Sequence, residues 1–300
     1  MMITTQSNKY DIIIVGAGTA GMMCAIHSAK RNRKVCVIEK SDHIGGAMHW
    51  SGGHMSAGGT KRQKSLGIQD SPDQHYEDIL RVNEGTGDLS LIRKAVDLAP
   101  GIIDWLDDEG FEFDPICPRI VYGHIPYEIP RTHYGVSNAK SILKILIPHW
   151  DQGIADGYID LQLEHSAVKF EKHNKRYDTV SCQHGTEMKT FIGNHIVITS
   201  GGYGSNPEMF RDKHPDVTLV SAAYPNSTGE MTSTLEDMGV PFRYAPYHLS
   251  SLGGIELDPG SGRCDFYEGW ASILTSVYRQ PRDIYIDLSL IHISEPTRPY

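Results

Sequence analysis

Three glycines near the start of the chain have the spacing of a phosphate-binding turn. Gly16, Gly18 and Gly21 follow the apolar run YDIIIV directly, and a helical pattern comes next. A second apolar run, KVCVI, then ends at Glu39. In this order, the glycines let the backbone approach a pyrophosphate, and the acid accepts hydrogen bonds from ribose hydroxyls. The segment therefore predicts a strand–helix–strand unit that binds a dinucleotide.

Two glycine pairs behind the acid indicate which nucleotide this is. They are Gly45-Gly46 and Gly52-Gly53. A flavin continues past the pyrophosphate as a ribityl chain and a tricyclic ring, and both need close backbone approach. A nicotinamide cofactor has no need of these pairs. An NAD-dependent dehydrogenase is the alternative, and it leaves them unexplained.

Five motifs, taken in order, resemble the FAD-dependent fumarate reductase/succinate dehydrogenase flavoprotein superfamily, which includes 3-ketosteroid dehydrogenases and urocanate reductases. The motifs are GAGTAG at 16–21, EK at 39–40, GGAMHWSGG at 45–53, TSGGYGSNPEM at 199–209 and STGEMTSTLEDMG at 227–239. The resemblance implies an α/β fold with a Rossmann-like FAD-binding domain over 1–238. It also implies the start of an inserted α+β capping domain over 239–287.

The resemblance implies FAD as cofactor and assigns residues to its site. The implied FAD contacts are Gly16, Ala17, Gly18, Thr19, Ala20, Gly21, Glu39, Lys40, Gly46, Ala47, Met48, Ser51, Gly52, Gly53, Val168, Ser200, Gly201 and Gly202. In the capping segment, His248 and Ser250 are the implied substrate-binding residues. The family's catalytic arginine lies beyond a motif that this sequence lacks, so no catalytic residue is assigned.

Two positions depart from the family pattern. Glu230-Met231 follows Thr228-Gly229 where the family has Asp-Gly. Respiratory members carry FAD covalently on a histidine at the position of Gly46, so we expect FAD to be non-covalent here. For the nearby His49, a partly exposed loop histidine is the favoured interpretation.

The function that the resemblance implies is hydride transfer between flavin N5 and a C–C bond next to a carboxylate or carbonyl. The expected partners are an unsaturated acid or enone as substrate and an electron donor or acceptor that the sequence does not identify. A second hypothesis is that the chain as given is a non-catalytic, truncated FAD-binding fragment. It is supported by residues 288–300, which resemble the translation of a sequencing-library adapter, so that native sequence would end near Asp287.

Composition excludes several other classes of protein. The formal net charge is −9 without a run of like charges, which argues against a nucleic-acid or anionic-membrane partner. The 5 cysteines form no C-x-x-C pair, so no metal site and no disulfide framework are predicted. No apolar run is long enough to be a transmembrane segment, and no signal peptide is visible at the N-terminus. A cytoplasmic protein is expected.

The middle of the chain is predicted to be a helical scaffold. Ser71-Pro72 and Asp88 have the character of helix starts. Pro100 is expected to interrupt its helix, and the helix over 141–150 is expected to bend or end near Pro148. The polar and aromatic cluster that begins at Arg131 could bind an anion, but a solvated turn after Pro130 is the favoured interpretation.

Overall fold

A computed structural model of the chain describes residues 4–121, 126–217, 219–243, 255–256, 258–265, 285–286 and 292–294. Its strands are β1 Thr4–Val15, β2 Val35–Ile38, β3 Met55–Ser56, β4 Thr132–His133, β5 Ile159–Gln162, β6 Ser166–His173, β7 Arg176–His184, β8 Glu187–Ile198, β9 Ile255–Glu256, β10 Cys264–Asp265, β11 Tyr285–Ile286 and β12 His292–Ser294. Its helices are α1 Thr19–Ala29, α2 Lys61–Ser65, α3 Pro72–Val82, α4 Leu89–Asp108, α5 Lys140–Ala155, α6 Pro207–Lys213 and α7 Glu230–Asp237, with a 3₁₀ turn at Gly46–His49.

The main sheet places β1 at its centre. The strand order is β5-β2-β1-β8-β7-β6, with β5, β2, β1 and β8 parallel and the β6–β8 meander antiparallel. Ile14 pairs with Val37 on one side and with Val197 on the other. A strand that is buried on both faces needs an apolar run rather than alternation, which YDIIIV supplies. The predicted strand–helix–strand unit and the Rossmann-like α/β fold are confirmed.

Apolar side chains cover both faces of this sheet. On one face, Met22 of α1 and Leu146 and Trp150 of α5 are buried against Ile14. On the other face, Ile13 packs in a cluster with Phe191 of β8. Burial on both faces holds the carboxyl ends of β1 and β2 rigidly, where the glycine turn and Glu39 follow.

The helix starts are confirmed, but the interruption at Pro100 and the end at Pro148 are wrong. Helix α4 continues through Pro100, and α5 continues past Pro148 to Ala155. A proline inside a helix removes one backbone hydrogen bond. In α4 the buried Val96 and Ile103 lie on either side of Pro100, so tertiary packing holds both halves in one helix.

Asp88 caps α4 with its side chain, and its removal gives a first test of the scaffold. Its carboxylate accepts hydrogen bonds from the N–H groups of Ser90 and Leu91 at 3.1 and 3.2 Å. We expect Asp88→Ala to lower the free energy of unfolding by about 1 kcal/mol. Urea unfolding followed by circular dichroism measures this change, and an unchanged midpoint would contradict the capping role.

The domain boundary at 238/239 stays a prediction, because after residue 243 the structure describes only 255–256, 258–265, 285–286 and 292–294. Among the helices that are described, none is long and apolar enough to cross a membrane.

Candidate dinucleotide-binding site

The turn between β1 and α1 requires glycine at its first position. Gly16 has φ +103°, and a Cβ atom there would lie 2.7 Å from the carbonyl oxygen of Thr199. Its N–H donates to the Ile38 carbonyl at 2.8 Å, and its own carbonyl accepts from the Thr199 hydroxyl at 2.8 Å. The turn is therefore fixed between the ends of β2 and β8.

The next two glycines have different surroundings. A Cβ atom on Gly21 would lie 1.9 Å from the Gly16 carbonyl oxygen, so this glycine lets α1 pack against the turn. At Gly18, by contrast, no atom of the described chain lies within 4 Å of the Cβ position. The first backbone bond of α1 runs from Met22 N–H to the Gly18 carbonyl, so the N–H groups of residues 19–21 precede the helical ladder. This open helix N-terminus suits a pyrophosphate.

Glu39 lies buried beside the same turn, only 9% exposed. One carboxylate oxygen accepts the Ala17 N–H and the other accepts the Ser41 N–H, each at 2.8 Å. A carboxylate oxygen accepts more than one hydrogen bond, so both retain capacity for ribose hydroxyls. The residues present thus fit the diphosphate and the ribose of a dinucleotide.

An open groove lies at the carboxyl ends of the strands and is lined by Gly16 and Glu39. Ligands bind at this edge of open α/β sheets. Its lining residues are Val15, Gly16, Ile38, Glu39, Lys40, His165, Ser166, Ala167, Ser200, Glu230 and Met231. The structure therefore brings Gly16, Glu39, Lys40 and Ser200 together, as the sequence predicts. Gly201 and Gly202, which follow Ser200, are exposed.

A contact between Lys40 and the start of α7 was not expected from the sequence. The ammonium group donates to the Thr228 hydroxyl at 2.8 Å and to both Glu230 oxygens at 3.0 Å. Burial opposes ionisation of Glu230, but hydrogen bonds from Thr228 and Lys40 outweigh it and hold the Glu230 pKa below its ordinary value. The loss of the second glycine of the family motif could have drawn attention to Glu230, whereas its pairing with Lys40 has no local signal.

The two glycine pairs lie on either side of the 3₁₀ turn, which contains Ala47 and the buried Met48. Gly45 donates its N–H to the Ala17 carbonyl at 2.9 Å, which places Gly46 beside Gly18. After the turn, a Cβ atom on Gly53 would lie 2.5 Å from the Ala139 nitrogen. That glycine therefore serves close packing against the start of α5.

The remaining members of this segment and of β6 are more exposed. Ser51 accepts the Gly53 N–H at 3.1 Å, and Gly52 is half-buried. Val168 is 44% exposed and is skipped in the pairing of β6 with β7, where Ala167 opposes Cys182 and Lys169 opposes Ser181. It follows the groove residue Ala167, so contact of its backbone with an adenine ring stays a prediction.

The solvated turn expected at Arg131 is wrong. The Arg131 side chain is 0% exposed and donates two hydrogen bonds to Asp70, at 3.0 and 2.9 Å, and one to Asp78 at 2.7 Å. Its carbonyl accepts the Ala57 N–H, so the ion pairs anchor the short ribbon of β3 and β4. A charge can be buried in this way because it is paired with two carboxylates and hydrogen-bonded to both.

The predicted substrate-binding residues, His248 and Ser250, lie outside the described residues.

A sheet with parallel central strands, with a glycine turn, a helix N-terminus and a buried acid at the carboxyl ends of those strands, defines a dinucleotide-binding α/β protein. The profile of the FAD binding domain family matches residues 11–256. The chain belongs to this family, whose cofactor is FAD.

Known proteins with similar sequences or folds are oxidoreductases. NADH:fumarate oxidoreductase from Klebsiella pneumoniae is 28% identical over 233 residues, which are 77% of this chain and 24% of that protein. Urocanate reductase from Eggerthella lenta is 26% identical over 245 residues, 76% of this chain and 38% of that protein. The structure of a 3-ketosteroid dehydrogenase from Rhodococcus jostii RHA1 superposes with a TM-score of 0.68 at 18% identity, covering 79% of this chain and 55% of that one. The chain thus spans less than half the length of these two curated relatives.

Proposed function

We propose that this chain is the FAD-binding part of a reductase that moves a hydride between flavin N5 and a carbon–carbon double bond next to a carboxylate or carbonyl. The observation that carries the proposal is the carboxyl edge of the sheet, where Gly16 and Glu39 line one groove. The Glu39 carboxylate accepts the N–H of Ala17, directly before the open Gly18 and the N-terminus of α1. The relatives add the substrate class, since their names include fumarate, urocanate and acrylate reductases.

The residues of the candidate site have separate tasks in binding FAD. The N–H groups of residues 19–21 would receive the diphosphate, and Glu39 would accept the ribose hydroxyls. Lys40 and Glu230 bridge the rim of the groove. FAD would supply the hydride chemistry when bound, and the protein would orient it and exclude water.

We also propose that FAD is held without a covalent bond. Gly46, at the position of the family's attachment histidine, has no nucleophile. His49 lies nearby, and its ring nitrogen already forms a 2.8 Å hydrogen bond with the Ile44 carbonyl oxygen. A cytoplasmic location is likewise a proposal, supported by five cysteines that are all free thiols.

Gly18→Ala tests the cofactor site with little effect on the fold. Gly18 has an ordinary φ of −72° and open space at its Cβ, so alanine is accommodated by the backbone. The methyl group would nevertheless stand where the diphosphate approaches. We expect the wild type to retain flavin absorbance after incubation with FAD and desalting, and Gly18→Ala to bind FAD at least about tenfold more weakly.

Gly101→Ala is the matched control, because Gly101 is also open and lies on the exposed surface of α4. It should bind FAD as the wild type does. A wild-type chain that stays colourless and ignores FAD in titration would refute the proposed function. Tight NAD binding without flavin colour would favour a nicotinamide enzyme instead.

A further inference from the structure

One histidine on the lining of the groove has a ring nitrogen without a partner. His165, which directly precedes β6, lines the groove and is only 4% exposed. Its Nε2 atom is buried and has no hydrogen-bond partner among the residues that the structure describes. No other described side chain of the groove has a buried polar atom in this condition. Buried polar atoms are almost always paired, so an unpaired one at a ligand groove points to a partner on the ligand.

The other ring nitrogen determines which kind of partner Nε2 needs. Nδ1 lies 2.5 Å from the carbonyl oxygen of Leu163. Because a carbonyl oxygen only accepts, Nδ1 carries the hydrogen and donates it. Burial lowers the pKa of His165 below its ordinary value, so the imidazole is neutral at pH 7. In a neutral imidazole with its hydrogen on Nδ1, Nε2 has a lone pair and accepts a hydrogen bond.

Two aromatic neighbours hold the ring of His165 in place. It stacks on the ring of His184, with centroids 4.3 Å apart and 14° between the planes, and Phe191 meets it edge to face at 5.9 Å. His184 is fixed in turn, because its Nδ1 donates to the Glu164 carbonyl at 3.1 Å. A rotation that carried Nε2 to another partner would break the stack and the bond to Leu163. The acceptor is therefore preorganised.

Backbone hydrogen bonds place His165 directly beside the ribose acid. The His165 N–H donates to the Glu39 carbonyl at 2.9 Å, and the Glu164 N–H donates to the Ser41 carbonyl at 3.0 Å. The carboxylate of Glu39 instead accepts the N–H of Ala17 in the glycine turn. A nucleotide joins its base to the ribose on the side away from the diphosphate. With the diphosphate at the glycine turn, the base would therefore follow on the side of His165.

We propose that Nε2 of His165 accepts a hydrogen bond from the 6-amino group of the adenine ring of FAD. This inference rests on the proposed function and names the side chain that selects the base. The 6-amino group carries the only N–H donors of the adenine ring, so a fixed acceptor distinguishes adenine from a purine without that group. The hydrogen bond would also satisfy the buried nitrogen that the free chain leaves unpaired.

Binding of FAD and of an FAD analogue without the amino group tests the inference. The analogue has hydrogen in place of the 6-amino group, and flavin fluorescence reports both dissociation constants. We expect the wild type to bind FAD about tenfold or more tightly than the analogue, because the analogue leaves Nε2 unpaired. His165→Phe keeps an aromatic ring against His184 but has no acceptor, so it should lose most of this preference. The ratio of the two affinities is independent of the fraction of the variant that folds.

His184→Phe is the matched control. It makes the same substitution in the stacked ring, which is not part of the groove lining, and should keep the wild-type preference. An unchanged preference in His165→Phe would overturn the inference, as would a wild type that binds FAD and the analogue equally. A wild type that does not bind FAD would overturn the proposed function itself.

Nuclear magnetic resonance of the wild type gives a second readout that needs no stable variant. In chain labelled with ¹⁵N-histidine, a new hydrogen bond to Nε2 changes the chemical shift of that nitrogen. We expect the Nε2 resonance of His165 to differ between the FAD complex and the analogue complex, while the resonances of the exposed His27 stay the same in both. Identical His165 resonances in the two complexes would contradict the hydrogen bond.

Discussion

Gly21→Ala should destabilise the chain and abolish FAD binding together. The new methyl group would lie 1.9 Å from the Gly16 carbonyl oxygen and 2.9 Å from the Thr199 hydroxyl. Both neighbours are fixed by hydrogen bonds, so α1 must move away from β1. We expect the free energy of unfolding to fall by about 3 kcal/mol, the upper part of the range for overpacked cores. The displaced helix N-terminus would no longer meet the diphosphate.

Two other glycines make this result diagnostic. Gly101 is an exposed position of α4 where a Cβ atom meets no neighbour, so Gly101→Ala should raise the free energy of unfolding by up to about 1 kcal/mol. Gly18→Ala should affect FAD affinity and leave unfolding nearly unchanged. Urea unfolding of the three variants measures their free energies of unfolding, which should fall only in Gly21→Ala. A Gly21→Ala protein as stable as Gly101→Ala would show that α1 does not pack against the turn as described.

Arg131→Met should be the most damaging change outside the nucleotide site. It would leave the buried Asp70 without its cation and would leave Asp78 with Arg81 as its remaining cation. Breaking a buried ion pair from one side costs about 3–5 kcal/mol. The exposed ion pairs of Arg93 with Asp73 and Asp97 provide the comparison. Arg93→Met should lower the free energy of unfolding by less than about 1 kcal/mol.

The pH dependence of the free energy of unfolding provides a second test of the Arg131 prediction. Burial opposes ionisation of Asp78, but hydrogen bonds from Arg81 and the Glu128 N–H, with the Arg131 charge, hold its pKa below the ordinary value. In the wild type, this stabilisation is present above the unfolded-state pKa and is lost as the pH falls through the folded-state pKa. In Arg131→Met, protonation relieves the charge of Asp78, which has lost its Arg131 partner, so the deficit in the free energy of unfolding should shrink between pH 7 and pH 4. A deficit that grows on acidification would contradict the buried ion pairs.

Local signals predicted the nucleotide unit from the sequence because each part lies close to the next. The run before Gly16, the helix after Gly18 and the acid at 39 are neighbours in sequence and in space. The same locality explains the correct N-caps at Ser71 and Asp88. Local reasoning did not predict that the helices continue through Pro100 and Pro148. Residues on both sides of each proline are buried, and this burial outweighs the lost hydrogen bond.

Long-range pairing accounts for what the sequence did not reveal. Arg131 looked like a turn residue because its partners Asp70 and Asp78 lie 61 and 53 positions away. Lys40 and Glu230 are separated by 190 positions. Neither contact has a periodicity or a motif, since each depends on how distant segments of the fold meet.

The central place of β1 has a consequence for synthesis of the protein on the ribosome. Its partner β8 and the Thr199 hydroxyl that closes the Gly16 turn come from the far side of a 183-position interval. At ordinary translation speeds, β8 is synthesised roughly ten to forty seconds after β1. During this interval one apolar edge has no native partner, so nascent chains depend on chaperones or on early pairing with β2 to avoid aggregation.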